Sequence, residues 1–202
     1  MSSGERNSAM SIRDRILDAA VTLLRDRGQA GATTKEIARV AGCSEGSLYT
    51  YFTGKETLLV AVIAERLPPF VPLLKALLER AGEDTVADHL LEVTSIAVRF
   101  YVELMPLAAT VLATPDLNES VRRQGFGPHL GNEALATYLK IEQRLGRIHP
   151  EVSVEAAAAL LLGACQQRAM YGQFSGRAPD PADDARFVKD LVVTLVLGLR
   201  PS

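Results

Sequence analysis

Apolar residues recur three and four apart along almost the whole chain, and no stretch alternates with the two-residue period of a half-buried strand. Ser11 with Asp14 predicts a capped helix start, with Ile16, Ala19, Ala20, Leu23 and Leu24 on one face and Gly28 as the stop. Three short, well-punctuated helices follow. Thr33 to Glu36 has the form of a capping box and opens a helix through Ile37, Ala38 and Ala41 that meets Gly42. Ser44 can cap the next helix, which turns Leu48 and Phe52 inward. Thr53 to Glu56 reads as a second capping box, starting a fourth helix along Leu58, Leu59, Val62 and Ile63. Residues 1–10 carry no such pattern and are expected to be disordered.

Pro68-Pro69 should end or kink the fourth helix, since neither residue can donate a backbone hydrogen bond. An apolar run resumes at Phe70 and fades at Gly82. The spacing then predicts a helix from Thr85 to Leu104, ended by Met105-Pro106, a short one from Pro106 to Ala113, and another opening at Thr114-Pro115-Asp116. Gly125 to Pro128 reads as loop, with His129 beside it, followed by a helix over residues 132–147. The last two helices are expected over residues 153–174 and 181–199, the second announced by Asp180 as N-cap and Pro181 at the first helical position. The fold class is all-α: an N-terminal three-helix helix-turn-helix domain and a larger C-terminal helical domain for ligand binding and dimerisation. The boundaries read 1–10, 11–54 and 55–202, with the fourth helix belonging to both domains.

Composition narrows the function classes. The chain has 202 residues, 48% hydrophobic and 23% charged, an ordinary globular balance. Charge, Gly or Pro interrupts the apolar stretches before the roughly 18 residues of a membrane span, so no membrane partner is expected. The N-terminus is polar, without the apolar core of a secretory signal. Cys43 and Cys165 form no disulfide framework, which makes the cytoplasm the default location. Two thiols and three scattered histidines provide no metal site, and no cofactor is implied. The net charge is −2, yet through Arg66 the chain holds 9 basic and 8 acidic residues, against 13 and 16 beyond it. That split permits a local basic face on an acidic protein.

Residues 33–55 are the strongest candidate for contact with DNA. Ala38 lets two helices cross closely, and Gly42 relieves the turn of a Cβ clash. With Leu48 packed inward, Glu45, Gly46, Ser47, Thr50 and Tyr51 are left on the outer face. A glycine near the start of such a helix is poor for stability, and makes sense where another backbone must approach. Thr34 and Lys35 at one helix N-terminus, and Thr53 and Lys55 at another, suit phosphates. Singly, each residue reads as a cap or a solvated position; their convergence on one projecting helix favours DNA.

These residues carry a specific resemblance. Ile16 to Ala20, Leu24, Gly28, Thr33-Thr34, Ile37-Ala38, Ala41 to Ser44, Gly46 to Tyr49, Tyr51-Phe52, Lys55-Glu56 and Leu58 closely resemble the N-terminal domain of the TetR family, without a gap over residues 12–60. The resemblance implies DNA contact at Thr34, Lys35, Glu45, Gly46, Ser47, Tyr49, Thr50, Tyr51 and Lys55, with Ser44 counted beside them as the cap. Tyr49, Tyr51 and Lys55 are the phosphate partners it marks most firmly. Cys43 takes a position usually held by an aliphatic residue, so packing is its expected role. Glu45 is an oddity: a carboxylate can accept from cytosine N4 but repels phosphate, and it could instead serve the helix dipole.

A single small domain of this kind reads half a site, so a symmetric dimer on double-stranded operator DNA is expected. Ala156 to Ala164 form a small, apolar helix, and Phe187, Leu191, Val192, Leu195, Val196 and Leu199 make its neighbour similarly apolar. Both need neighbours on most sides, and a four-helix bundle across a two-fold axis supplies them. The resemblance implies the same interface, over residues 153–175 and 181–199. For a small-molecule effector, apolar or amphipathic, the candidates are Phe100, Tyr101, Met105, Tyr138, Gln166, Met170, Tyr171 and Phe174, with Gln167 and His129 as further polar groups. Each aromatic at helical spacing is more often a core residue. The resemblance further implies a ligand-responsive regulator, repressing as a rule, whose fourth helix swings on ligand binding. Two other classes stand against it: a DNA-binding adaptor whose C-terminal domain holds a protein, and a helical-bundle enzyme. The second lacks any Glu-x-x-His pair, phosphate loop or Gly-x-Ser-x-Gly elbow, and no catalytic residue is assigned.

Overall fold

The apolar periodicity folds as helix throughout. The structure, a computed structural model, describes residues 10–67, 70–123, 125, 127, 129–176 and 180–199, and of residues 27–30, 71 and 199 the backbone alone. The expected disorder of residues 1–9, the Pro68-Pro69 break, Phe126 and Pro128 of the expected loop, and the Leu199 side chain lie outside the described residues. These form α1 (Ile12–Gly31), α2 (Thr34–Ala41), α3 (Glu45–Tyr51), α4 (Lys55–Glu65), α5 (Phe70–Glu79), α6 (Val86–Ala113), α7 (Pro115–Arg123), α8 (His129–Arg144), α9 (Val154–Ser175) and α10 (Pro181–Leu199), and no strand.

Several local expectations give way. α1 runs through Gly28 and stops at Gly31; an interior glycine costs a helix only about 1 kcal/mol. α6 is one helix of 28 residues with Pro106 inside it, where two helices were expected. A proline break of about 3 kcal/mol is tolerated because Tyr101, Leu107 and Val111 are buried on both sides of it. α4 opens with Gly54 rather than Thr53 as N-cap, the Gly54 N–H donating to Thr57 Oγ1 at 3.3 Å. Thr33 caps α2, its Oγ1 accepting from Glu36 N at 3.2 Å, and the Glu36 carboxylate pairs with Arg39 at 2.7 Å. His129 is the first residue of α8 rather than a loop residue, and α8 ends at Arg144, before 147.

The chain folds as two compact units. The first comprises residues 1–67 with 106–125; the second comprises 68–105 with 126–202. In the first, α1 packs on α2, α3 and α4, and α7 packs on α4. Ile16, Leu17, Leu24, Ile37, Leu48, Leu58 and Leu59 are buried there. The second has α8 against α5 and α9, around Leu74, Leu77, Leu90, Leu135, Tyr138, Leu161 and Cys165. Gly131 sits where a Cβ would come within 3.0 Å of the Phe70 ring, so the helix start of α8 lies close against α5. Among the described residues α6 alone has the length and apolarity to cross a bilayer, with a mean hydropathy of 1.6 over its best window. Arg99 and Glu103 interrupt it, and its face of Leu90, Val93, Ala97, Val98 and Tyr101 is in the core of the second unit.

Candidate nucleic-acid interface

α3 has only seven residues, far below the length at which an isolated helix is stable, so its neighbours must hold it. Gly42 ends α2 at φ +68°, in the left-handed region, and its own N–H and that of Cys43 return to Arg39 O and Ala38 O at 3.2 and 3.0 Å. Nothing lies within 4 Å of a Cβ at Gly42, so backbone conformation rather than space requires the glycine. Ser44 caps α3, its Oγ accepting from Ser47 N at 3.0 Å. Leu48 and Phe52 are buried below, and the Arg13 guanidinium lies 5.4 Å over the Phe52 ring.

The opposite side of α3 is open. Glu45, Gly46 and Thr50 are exposed, with Tyr49 and Tyr51 at 48% and 46%, while Ser47 is half-buried with its Oγ 2.8 Å from Ser44 Oγ. A Cβ at Gly46 would meet only Ser44 Oγ at 3.8 Å, so the fold itself does not demand glycine there. Thr34, the first residue of α2, donates its hydroxyl to Glu45 Oε1 at 2.6 Å and lies 3.5 Å from Tyr49 OH. Lys35 is exposed beside it. Lys55 is the first residue of α4, half-buried, and burial lowers its pKa. A cation at a helix N-terminus opposes the dipole. Cys43 is a half-buried free thiol.

Charged pairs tie α1 to the end of α4. Arg13 holds Glu65 through two hydrogen bonds of 2.6 and 2.7 Å, and Arg66 reaches Asp14 and Asp18 at 2.5 and 2.7 Å. The Ser11 hydroxyl and Arg66 hold the Asp14 carboxyl below the usual range, and Arg13 does the same for Glu65.

The effector candidates of the second unit fall into two groups. Tyr101 and Tyr138 are buried, and Phe100 and Met105 are partly buried against the same core. Phe100 stacks on Phe70 at 5.0 Å, burial pushes the Tyr101 phenol up to about 12, and Tyr138 OH lies 2.7 Å from His89 Nδ1. Gln166, Met170, Tyr171 and Phe174 are exposed on α9. An open groove of about 670 Å³ lies between α6, α9 and α10; of the eight candidates only Tyr171 borders it, together with Gln167. His129 is exposed. Arg168, Asp183 and Asp184 also stand on the groove wall, and only the packing of α9 against α10 brings them together.

A sequence model described as bacterial regulatory proteins of the TetR family matches residues 16–62, which include α2, α3 and Lys55. The HTH-type transcriptional regulator YdgC of Bacillus subtilis is 29% identical over 206 residues, covering 97% of this chain and 96% of that protein. TtgW of Pseudomonas putida, also an HTH-type transcriptional regulator, is 37% identical over 101 residues, 48% of this chain and 74% of that protein. Among solved structures, the regulator FadR of Bacillus subtilis in complex with stearoyl-CoA matches with a TM-score of 0.71 at 20% identity, over 92% of this chain and 98% of that one.

Proposed function

The chain belongs to the TetR family of bacterial regulatory proteins, and on that premise we propose that it is a homodimeric repressor of a palindromic operator, released by a small-molecule inducer. It is a DNA-binding transcriptional regulator, not an enzyme. The observation that carries the reading is α3: seven residues, held from beneath by Leu48 and Phe52, with five neighbouring positions left open to solvent.

In this reading α3 enters the major groove. Tyr49, Tyr51 and Lys55 take phosphates, with Thr34, Lys35 and Ser44 at the flank, while Glu45, Gly46, Ser47 and Thr50 face base edges. Gly46 lets the helix approach without a side chain between it and the duplex. Two copies pair through α9 and α10, where Leu160, Phe174, Val193 and Leu197 expose apolar surface at 66%, 84%, 50% and 58%. Two major-groove sites on one DNA face lie about 34–36 Å apart, so a ligand that favours another spacing of the two α3 helices weakens simultaneous docking. FadR of Bacillus subtilis is described in complex with stearoyl-CoA, which supports an amphipathic effector in the second unit here as well.

Light scattering coupled to size-exclusion chromatography, followed by fluorescence anisotropy on DNA fragments recovered by genome-wide mapping of bound sites, tests the reading. A dimer with sequence-preferring, salt-sensitive binding is expected. A strict monomer, or indifference to every duplex at low salt, would end it.

A further inference from the structure

We infer that Thr34 is a positioning residue for base readout: its hydroxyl holds the Glu45 carboxylate ready for cytosine N4 and is thereby withdrawn from the DNA backbone. The inference rests on the reading that α3 enters the major groove, and adds which side chain sets one base of the operator and what aims it.

A threonine hydroxyl has one proton to give. In α2 that proton is already placed: Thr34 Oγ1 donates to Glu45 Oε1 at 2.6 Å, the short distance of a hydroxyl bonded to a carboxylate. A phosphate at Thr34 would have to take the proton from that carboxylate and then lie beside its charge, which repels it. Tyr49 is placed differently. Its OH lies 3.5 Å from Thr34 Oγ1, beyond the usual reach of an O–H···O bond, so its proton remains available to the backbone. The family resemblance gives both residues to DNA; the geometry keeps Tyr49 for phosphate and turns Thr34 to Glu45.

The same bond aims the carboxylate. Thr34 is half-buried and opens α2, where a helical backbone and a β-branched side chain restrict its rotamers. Glu45 is exposed at the head of α3. Left alone, such a side chain samples many rotamers, and DNA would have to order it on binding. With Oε1 held from α2, Oε2 is left as an acceptor without a partner among the described residues. In the major groove cytosine offers its N4 amino group alone, while adenine sets the N7 acceptor beside its amino group and guanine and thymine present acceptors. A carboxylate therefore favours cytosine. As a clasp alone, the bond would tie α2 to α3. Gly42, the Ser44 cap and buried Leu48 already fix that crossing, and a clasp requires no carboxylate on the face turned toward a polyanion.

Selection from random duplexes with the full chain, followed by fluorescence anisotropy on the selected operator carrying each of the four bases at each position, tests the assignment. The parent should prefer cytosine at one symmetric position per half-site. Thr34→Val keeps the shape and the β-branch but not the donor, and should reduce that preference about tenfold. Thr34→Ser keeps the donor and should retain it. In a Glu45→Ala background, Thr34→Val should leave the base preference where Glu45→Ala put it, as expected of two residues acting as one. Equal weakening by Thr34→Val on all four bases marks a phosphate donor and overturns the assignment. A lowered melting temperature with the preference intact marks a clasp and overturns it too. If the parent selects a sequence and Thr34→Val selects the same one, readout by α3 stands while the role of Thr34 falls. If the parent selects no sequence at all, the major-groove reading falls and takes this one with it.

Discussion

Glu45 is the residue of α3 least suited to a polyanion. Its carboxylate only accepts hydrogen bonds, so in the major groove it can meet cytosine N4 or adenine N6 but neither edge of guanine. Thr34 holds one of its oxygens at 2.6 Å, which narrows where the side chain can point before DNA arrives. In selection from random duplexes, Glu45→Gln is expected to move one symmetric position per half-site from cytosine toward adenine, where glutamine can make two hydrogen bonds. The discrimination at stake is about 1–3 kcal/mol, and an unchanged base preference would remove Glu45 from readout. The place of Glu45 at the head of a helix was legible from Ser44 next to it. Its bond to Thr34 was not, because the two residues stand eleven apart and meet only when α2 and α3 cross. Cys165 shows the same limit: no local pattern marks it, yet complete burial pushes its thiol up to about 12 and makes it a packing group.

At the scale of elements, local grammar governed helix starts better than helix stops. Ser11, Thr33, Ser44, Ser153 and Asp180 each accept from the backbone N–H two or three residues on. Gly28 and Pro106 failed as stops because burial on either side outweighs a penalty of about 1–3 kcal/mol. The end of α4 is held by charge. Asp14 and Glu65 have pKa values below their ordinary 3.8 and 4.5, so their stabilisation is complete above that range and is lost as pH falls through the lowered values. Melting temperature followed from neutral pH to about pH 3 should show that loss, and Arg66→Ala, lacking part of the pairing, should show less of it. A pH profile identical to the parent's would place the stability elsewhere. Glu142 of α8 is 0% exposed; its Oε1 accepts from Gly82 N at 2.9 Å, and its Oε2 forms an ion pair with Arg147 Nε at 3.2 Å. Arg147→Met strands that carboxylate, and chemical denaturation should register a loss of about 3–5 kcal/mol, partly recovered by adding Glu142→Gln. A loss within about 0.5 kcal/mol, the scale of ordinary surface changes, would mean the pair contributes nothing.

At the scale of the molecule, the chain enters the second compact unit twice: residues 106–125 rejoin α1 to α4 after residues 68–105, and residues 126–202 then return to the second unit. The return falls at Pro106 inside a continuous α6, so the proline coincides with a change of unit and not with a helix end. The exposed apolar positions of α9 and α10 belong to this scale too. Leu160→Asp places a charge in the proposed two-fold interface while leaving the buried face of α9 intact. Light scattering should then report a monomer, with operator affinity reduced toward that of a single half-site; a dimer of unchanged affinity would move the interface elsewhere. By itself the sequence determined the all-helical class, the caps at Thr33, Ser44 and Asp180, and the inward Leu48 and outward Tyr51 of α3, because each depends on residues within about one helical turn. Only the tertiary structure decided that Thr34 holds Glu45, that Glu142 is buried, that Arg168 closes on Asp183 and Asp184 beside a groove, and that residues 106–125 return to the first unit. Those outcomes depend on which distant side chains converge, and chain periodicity carries no record of that.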